Sequence, residues 1–431
     1  MISGTFNSVD HALIDGFAVA TPAYRVFISH PERQHSHELA SALAQQGRLG
    51  AYVHGAPLPV GAQSAIPTSL RRRLGFCRLW RYVLKPLFPQ RVVLESYYRM
   101  IWAFDALMAR RIRHAGCNVV VGYENSALAT FQEAKRLGMV CILDNSGVHH
   151  ATQDAALAYQ ESEAFHRRIL ARKDKELALA DIILVCSSFA RDSFIAAGIS
   201  PERLHIVQLG CDISSFSPAS DPVAGVDAGA VRFLFVGRLS RLKGADLLAA
   251  VAHRLRAAHV PFTLEVVAPI SEAERGLIHR FAEVARLHDK VPYGQLSGFH
   301  SRADCLVLPS RFDSFAFVVA EGLASGLPVI VSNAVGARDM VVDDENGWVI
   351  PVADEDALFE RMSWCALNVT KLRSMSAAAR ATAEAWDWSK YHFQVLLTID
   401  RLMADACCLP QRPSYEAKTR CSGDTLVSQE L

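Results

Sequence analysis

Short runs of valine, isoleucine and leucine alternate with amphipathic segments along most of the chain. Between the runs lie segments such as HSHELASALAQQG and ALATFQEAKRLG, which end at glycine, the usual residue after a helix. This alternation is typical of parallel sheets covered by helices, and it predicts an α/β protein. The predicted strands are 25–30, 118–124, 140–145, 181–188, 205–210, 231–237, 262–269, 304–310 and 328–333.

The length of 431 residues allows two domains, each with its own buried core. The alternation lapses at 216–230 (FSPASDPVAGVDAGA), which is too polar and too rich in proline and glycine for a core element. We therefore predict a doubly wound N-terminal domain at 24–215, a linker at 216–230 and a doubly wound C-terminal domain at 231–388. The polar, aperiodic tail 409–431 is predicted to be disordered.

Composition and charge exclude several classes of function. The 45 basic and 44 acidic residues nearly cancel, so no overall field attracts nucleic acid, which we do not expect as a partner. The N-terminus lacks a basic start with an apolar core, and no apolar run approaches the roughly 18 residues of a membrane span. We therefore expect a cytoplasmic protein. The ten cysteines include no CxxC, so neither a disulfide framework nor a zinc site is implied.

Two basic residues flank a predicted helix start in the second domain. The strand VRFLFVG runs into Arg238, and LSRL is followed by Lys243, a glycine and the helical pattern ADLLAAVAHRLRAAH. A helix N-terminus offers unpaired N–H groups and a positive dipole end, and the two cations add full charge, so the segment suits a diphosphate. On spacing alone, two solvated loop residues are the alternative.

Two acidic residues stand eight positions apart in PSRFDSFAFVVAEGLASGLP, residues 309–328. Asp313 lies in a polar turn, and Glu321 opens a helical pattern. A turn or capping role for Asp313, and a place on an exposed helix surface for Glu321, are the structural alternatives.

Taken together, GRLSRLKG and LPSRFDSFAFVVAEGLASGLPVIVSNAVGARDMVVDDENGWVIP resemble the retaining GT-B glycosyltransferases of family 4, the glycosyl transferases group 1 superfamily. HIVQLGCDISSFSP is similar to the end of that family's first domain. WDWSKYHFQVLLTIDRLM is similar to its terminal helix, here about 389–408, which crosses back to the N-terminal domain. The resemblance implies a GT-B architecture, in which two Rossmann-like domains face a central cleft.

The resemblance also implies a reaction. A retaining hexosyltransferase of class EC 2.4 would move a hexosyl group from a nucleotide diphosphate sugar to a hydroxyl of a glycan or lipid-linked glycan, as in cell-surface polysaccharide biosynthesis. Arg238 and Lys243 would stabilise the departing diphosphate. In the family's Glu-x7-Glu motif, Glu321 would accept bonds from the ribose hydroxyls, and Asp313 would lie by the transferred sugar. The leaving phosphate itself would take the acceptor proton, so no side-chain base is required. No cofactor and no metal are expected, because the two cations and the helix end do the work of a metal.

Further residues follow from the same resemblance. A histidine after the strand VCILDN reaches the donor sugar in related enzymes, and either His149 or His150 fits. The family's first strand often opens into a glycine-rich loop, whereas this chain has HPERQHSH at that place. The three histidines of this segment, His30, His35 and His37, are expected to be solvated and not to bind metal. The remaining predicted donor-site residues are Gly210, Gly237, Ser314, Phe315, Ala316 and Phe317, of which Ser314 and Ala316 stand where glycine is common.

Two other functions stay open at this point. A catalytically degenerate subunit that only binds sugar nucleotide or a partner glycosyltransferase would explain the departures at Asp313, Ser314 and Ala316. A nucleotide-sugar 2-epimerase shares the architecture but not the combination of Arg-x4-Lys with paired acids. A dehydrogenase is excluded, since the loop after RVFISH lacks GxGxxG.

The segment RRRLGFCRLWRYVLKP is two-faced when drawn as a helix over 71–85. Its apolar face would carry Phe76, Leu79, Trp80 and Val83, and its basic face Arg71, Arg78, Arg81 and Lys85. Such a helix suits peripheral contact with the inner face of the cell membrane. Ordinary packing with a solvated basic side is the alternative.

Overall fold

A computed structural model describes residues 24–56, 64–84, 87–157, 161–218, 230–270 and 274–408. In the described residues the chain forms two all-parallel sheets, which are covered by helices, so the predicted α/β class is confirmed. Residues 23–399 belong to one compact unit, and the end of the last helix, 400–408, belongs to another. Within the parts that the structure describes, no helix combines the length and the apolar character needed to span a bilayer.

The first sheet has seven strands in the order β3-β2-β1-β4-β5-β6-β7. Strands β1, β4 and β5 are buried almost throughout, which explains their near-continuous apolar sequences. The strands are β1 Val26–His30, β2 Leu49–His54, β3 Arg71–Arg73, β4 Val119–Tyr123, β5 Val140–Asn145, β6 Ile182–Val185 and β7 Leu204–Ile206. The helices are α1 Ser36–Gln45, α2 Phe76–Leu84, α3 Gln90–Ile112, α4 Leu128–Arg136, α5 His150–Ala156, α6 Glu163–Leu179 and α7 Ser188–Ala196.

The second sheet has six strands in the order β10-β9-β8-β11-β12-β13. The strands are β8 Val231–Val236, β9 Phe262–Val267, β10 Arg286–His288, β11 Cys305–Leu308, β12 Val329–Ser332 and β13 Gly347–Ile350. The helices are α8 Ala245–Ala257, α9 Arg275–Ala282, α10 Tyr293–His300, α11 Phe317–Ala324, α12 Glu355–Leu367, α13 Val369–Ser374, α14 Ser376–Glu384 and α15 Trp388–Cys408.

In both sheets the order of the strands reverses beside the first strand, between β1 and β4 and between β8 and β11. The connections on either side of such a point run to opposite faces of the sheet, so the loops at the carboxyl ends of the strands diverge and leave a crevice. This geometry places the loops after β1, β8 and β11 where a ligand can enter.

Each of the nine predicted strands overlaps an observed strand, whereas β2, β3, β10 and β13 were missed. The sequence LGAYVH of β2 mixes polar and apolar residues, and β3 is the wholly charged RRR. β3 and β10, at sheet edges, are only three residues long. Edge strands are exposed on one side and therefore need no apolar signature.

The prediction of one helix over 71–85 is wrong in its first part. Arg71 pairs with Tyr52 in a parallel ladder, and α2 begins only at Phe76, after Gly75. Three apolar residues of α2 nevertheless stay exposed, with 65% of Leu79, 42% of Trp80 and 49% of Val83 accessible to solvent. Phe76 is half-buried, and its ring centroid lies 6.2 Å from that of Phe104. Lys85 lies outside the described residues.

The predicted solvated histidines are buried instead. His30 packs edge-on against Tyr123 with ring centroids 4.6 Å apart, and His35 Nε2 lies 2.8 Å from Asp144 Oδ2. His37 is in the first turn of α1 and is also buried. Backbone hydrogen bonds hold the loop after β1 against the end of β2, and these three side chains are buried there. Among the described residues no cluster of three or more His, Cys, Asp or Glu side chains could hold a metal.

The domain boundaries remain a prediction. Most of the proposed linker, 219–229, and the tail 409–431 lie outside the described residues. Phe216, at the start of the proposed linker, is buried and packs edge-on against the rings of Tyr293 and His300. In α15, Nε2 of His392 lies 3.1 Å from a carboxylate oxygen of Glu38 in α1, so this helix contacts the first half of the chain.

Candidate functional site

A cavity of about 460 Å³ lies at the carboxyl ends of the strands, and we call it the central cavity. Its volume is in the range of small-molecule sites. Both halves of the chain contribute to its wall, because Ser146 and Leu209 follow strands of the first sheet while the other residues belong to the second half. The latter are Val236, Gly237, Lys243, Leu308, Asp313, Ser314, Phe315, Ala316, Phe317, Val318 and Glu321.

The loop after β8 brings Lys243 to the cavity. Ser240 caps the short 3-10 turn before α8 by accepting a bond from the Lys243 N–H at 3.3 Å. Gly244 then has a φ of +70°, and a Cβ there would collide with the carbonyl oxygen of Pro309, so only glycine fits. Arg238, in the same loop, is exposed and is not part of the cavity wall.

Asp313 and Lys243, which are 70 residues apart, form an ion pair at the cavity. The backbone of Asp313 is held on both sides, since its N–H donates to Ala334 O at 3.0 Å and its carbonyl accepts from Gly336 N at 2.9 Å. Its second carboxylate oxygen accepts a bond from Phe315 N at 3.3 Å. The structure therefore brings together two of the predicted site residues.

Arg311, which sequence reasoning missed, ties the two loops together. Its guanidinium donates to both carboxylate oxygens of Asp246, at 2.6 and 3.0 Å, and also to Arg241 O at 2.6 Å. Its backbone N–H donates to Leu242 O at 2.7 Å. Because its partners lie about 65 to 70 residues earlier, no local sequence pattern could have pointed to this role.

The N-terminus of α11 forms another part of the cavity wall. Ala316 precedes the helix with φ +71° and ψ +74°, the left-handed conformation, and Phe317 and Val318 begin it. The first N–H groups of a helix lack partners within it, and its N-terminus carries partial positive charge. An anionic group can therefore be held at this place.

Glu321 lies in the middle of α11 rather than at its start, which corrects the predicted boundary. Burial raises the pKa of Glu321, and a hydrogen bond from the hydroxyl of Tyr293 opposes that change. The same burial, together with the negative charge of Glu321, raises the pKa of Tyr293, so Tyr293 is the donor of this bond. Tyr293 orients the carboxylate, and sequence reasoning missed it.

The two predicted glycines lie in different surroundings. Gly237 is part of the cavity wall, whereas Gly210 is not. A Cβ at Gly210 would come within 2.6 Å of the backbone of Trp388, so this glycine admits the first turn of α15. Gly210 therefore has a packing role, and its place in the donor site stays a prediction.

His149 and His150 both follow β5. Ser146, in the same segment, belongs to the cavity wall, but neither histidine does. The Nδ1 atom of His149 accepts the N–H of Ala151 at 3.2 Å and so caps α5. Burial lowers the pKa of His149 to about 4, and the charge of His150 adds to this. At neutral pH His149 is therefore uncharged with its proton on Nε2. Nε2 of His150 lies 2.9 Å from Oδ1 of Asp174, so this nitrogen already has a partner.

Contacts between the two halves hold the turn at 313–316. The thiol of Cys186 and the hydroxyl of Ser187 both donate to the carbonyl oxygen of Ser314, at 3.3 and 3.2 Å. The N–H of Ser188 donates to Asp339 Oδ2 at 2.7 Å. Residues that follow β6 of the first sheet thus hold the cavity wall through hydrogen bonds that involve both main-chain and side-chain groups.

Comparison with known proteins gives a family match in the second half of the chain. Residues 218–382, less than half of the chain, match the family model described as Glycosyl transferases group 1. A D-inositol 3-phosphate glycosyltransferase 1 from Catenulispora acidiphila is 26% identical over 253 residues, which are 54% of this chain and 59% of that protein. The matched part thus spans less than two thirds of the relative's length.

Solved structures match over most of the chain. Sucrose-phosphate synthase from Thermosynechococcus elongatus superposes with a TM-score of 0.64 at 20% identity, covering 89% of this chain and 100% of that one. The Anabaena protein HepE in complex with UDP gives a TM-score of 0.60 at 16% identity, covering 88% of this chain and 100% of that one. With the two parallel sheets, these matches confirm the predicted GT-B architecture.

The left-handed conformation of Ala316 gives a test of backbone strain at the cavity. Ala316→Gly and Ala320→Gly each delete one buried methyl group beside or within α11. The first relieves a left-handed alanine, which costs about 1–2 kcal/mol, and the second places glycine inside a helix at a cost of about 1 kcal/mol. In urea unfolding, we expect the free energy of unfolding of Ala316→Gly to be about 2 kcal/mol higher than that of Ala320→Gly, and equal to or higher than that of the parent. Equal losses in both variants would contradict the strain.

Proposed function

We propose that the protein is a retaining glycosyltransferase, which moves a hexosyl group from a nucleotide diphosphate sugar to an acceptor hydroxyl. The observation that carries the proposal is that one cavity combines a lysine, a helix N-terminus and an oriented glutamate, which are Lys243, the start of α11 and Glu321. The match to the group 1 family model at 218–382 and the likeness to a structure solved with UDP support it.

In this proposal the diphosphate lies between Lys243 and the start of α11. Lys243 supplies a full charge, and the helix supplies N–H donors and its dipole. Arg238, exposed at the rim, approaches the phosphates when the donor binds. Charge on the departing diphosphate grows toward the transition state, so these groups lower the barrier as well as holding the donor.

The two acids have separate roles. Glu321, oriented by Tyr293, accepts hydrogen bonds from the ribose hydroxyls. Asp313 lies by the transferred hexose and exchanges its bond with Lys243 for one with a sugar hydroxyl. Gly237, Ser314, Phe315 and Phe317 form the surrounding wall. Of the two histidines, His149 reaches the donor sugar, because its Nε2–H is available whereas Nε2 of His150 is paired.

A kinetic contrast tests these roles. Glu321→Ala removes a contact that changes little during reaction, so it should mainly raise KM for the donor, by about tenfold or more. Arg238→Ala and Lys243→Ala remove groups that meet growing charge, so each should mainly lower kcat, by roughly 100-fold or more. The double variant should be non-additive, since both cations act on one leaving group.

The control for this contrast is Lys290→Ala, which removes an exposed lysine outside the cavity wall and should leave both constants unchanged. All variants must show the parent's circular dichroism spectrum. Parental kcat in both cation variants at saturating donor would refute the leaving-group role and favour a subunit that only binds sugar nucleotide.

We also propose that transfer requires no metal. Lys243, Arg238 and the helix end provide the charge that a divalent cation would otherwise supply to the diphosphate. Initial rates are therefore expected to be the same with and without excess EDTA. A loss of activity that magnesium or manganese restores would contradict this part of the mechanism.

We further propose that α2 makes a peripheral contact with an anionic membrane, where a lipid-linked glycan acceptor would be found. Leu79, Trp80 and Val83 are exposed on this helix, and basic residues alternate with them in the sequence.

In vesicle sedimentation, phosphatidylglycerol vesicles should bind the parent more than phosphatidylcholine vesicles do, and salt should weaken the binding, which is worth about 1 kcal/mol per basic contact. Changing the three apolar residues to serine should reduce sedimentation. Leu137→Ser, at an exposed leucine elsewhere, is the control. Equal sedimentation of all three proteins would refute the contact.

A further inference from the structure

Five basic side chains gather at the carboxyl edge of the first sheet and take no part in the donor chemistry. We call them the arginine cluster. Its members are Arg33 in the loop after β1, His37 in α1, His54 at the end of β2, and Arg71 and Arg73 in β3.

The strand register and the packing of α1 bring the cluster together. Arg71 pairs with Tyr52 and Arg73 with His54, so these four side chains share one face of the sheet. The rings of Tyr52 and His54 stack with centroids 4.8 Å apart. α1 covers the same face, where the ring of His37 lies 6.1 Å from that of Tyr52.

Electrostatic effects on the two histidines place Arg33 in the same group. Burial lowers the pKa of His37 to about 4, and the charges of Arg33 and Arg71 act in the same direction, against the carboxylate of Glu38. Burial also lowers the pKa of His54, and both arginines contribute again. The charges of Arg33 and Arg71 therefore both act on the same two histidines, which are held together around Tyr52.

Within the described part of the chain, no carboxylate forms an ion pair with the arginines of the cluster. Arg33, Arg71 and Arg73 form no ion pair with any described residue, and Glu38 already has a histidine of α15 at 3.1 Å. Nη1 of Arg33, Nη1 of Arg71 and Nδ1 of His37 are buried without hydrogen-bond partners, and only 8% of His37 is exposed. A buried donor without a partner costs about 1–3 kcal/mol, and more when charged. These groups are arranged for an anion that comes from outside the chain.

The cluster and the central cavity both lie at the carboxyl ends of strands of the first sheet, since His54 ends β2 and the wall residue Ser146 follows β5. Ser146 is in the cavity wall, and Asp144, two residues earlier in the same chain segment, lies 2.8 Å from Nε2 of His35. His35 stands between Arg33 and His37 in the sequence.

We propose that the arginine cluster binds a phosphate monoester of the acceptor, so that the acceptor is a phosphorylated sugar or polyol. The inference rests on the proposed glycosyltransferase function. Two guanidinium forks can each grip phosphate oxygens bidentately, and a dianionic monoester meets their combined charge better than a singly charged carboxylate does. The phosphate would fix one end of the acceptor while a hydroxyl at its other end receives the hexose.

The test uses inorganic phosphate and glucose 6-phosphate as probes, with glucose and UDP as references, at constant ionic strength. Binding is measured by titration calorimetry and by thermal unfolding for the parent, Arg33→Gln and Arg71→Gln. Arg72→Gln is the matched control, because Arg72 belongs to the same strand but lies on the opposite face, where its charge acts on Arg111.

We expect both phosphate probes to stabilise the parent, and glucose not to. Arg33→Gln and Arg71→Gln should each raise the Kd of the phosphate probes about tenfold or more, while Arg72→Gln leaves it within twofold. Without phosphate, neither cluster variant should unfold at a lower temperature than the parent, because each removes one of several like charges. If Arg71→Gln nevertheless fails to fold, Arg33→Gln alone decides. Equal Kd values in the parent and the cluster variants, or no phosphate binding by the parent, would overturn the proposal.

Vesicles identify the source of the phosphate. If phosphatidic acid vesicles bind where phosphatidylcholine does not, and Arg71→Gln abolishes this binding, the monoester belongs to a lipid headgroup and the site is still supported. Binding of the same vesicles by Arg71→Gln and the parent would count against it. Glu321→Ala separates the two proposals, since it should weaken UDP and not phosphate. Absence of UDP binding in the parent would refute the proposed function alone.

Discussion

The geometry of the central cavity depends on the bidentate ion pair between Arg311 and Asp246. Both side chains are about one quarter exposed, so the pair is better shielded than a surface salt bridge and its two parallel bonds fix an orientation. It joins the first turn of α8 to the loop after β11. Gly244, pressed against Pro309, closes the same junction. Only with both loops held in this way does Lys243 stand beside Asp313.

The two halves of the chain treat their positive charges differently. In the second half, Lys243 has a carboxylate partner in Asp313, so under the proposed function the diphosphate would compete with Asp313 for it. In the first half, Arg33 and Arg71 have no such partner and keep buried donors unpaired. Pairing with a carboxylate lowers the free-energy cost of keeping the lysine charged in the absence of ligand. The unpaired arginine donors instead gain partners when an anion binds, which makes the binding free energy more favourable.

The sequence was a good guide to elements whose burial leaves a local pattern, and a poor guide to those that depend on distant partners. The strands at the centres of both sheets are continuous apolar runs, and all of them were predicted. β3 is three arginines, and its pairing with β2 could not be inferred from any periodicity. His35 was expected to be solvated because its neighbours are polar, but Asp144, 109 residues away, pairs with it. Lys243, Asp313 and Glu321 were found through a motif, whereas Arg311 and Tyr293 belong to no motif and act through contacts that only the folded chain creates.

The departures from the family's glycines at Ser314 and Ala316 leave the backbone of the cavity wall in place. Ser314 contributes its carbonyl oxygen, which accepts bonds from Cys186 and Ser187, and a side chain does not interfere with that role. The requirement for glycine falls instead on Gly336, where a Cβ would collide with the same carbonyl. Ala316 keeps the left-handed conformation that glycine would adopt freely, and the surrounding contacts bear the strain. The third departure from the family pattern, the shorter carboxylate of Asp313, differs from these two because it changes the side chain that pairs with Lys243.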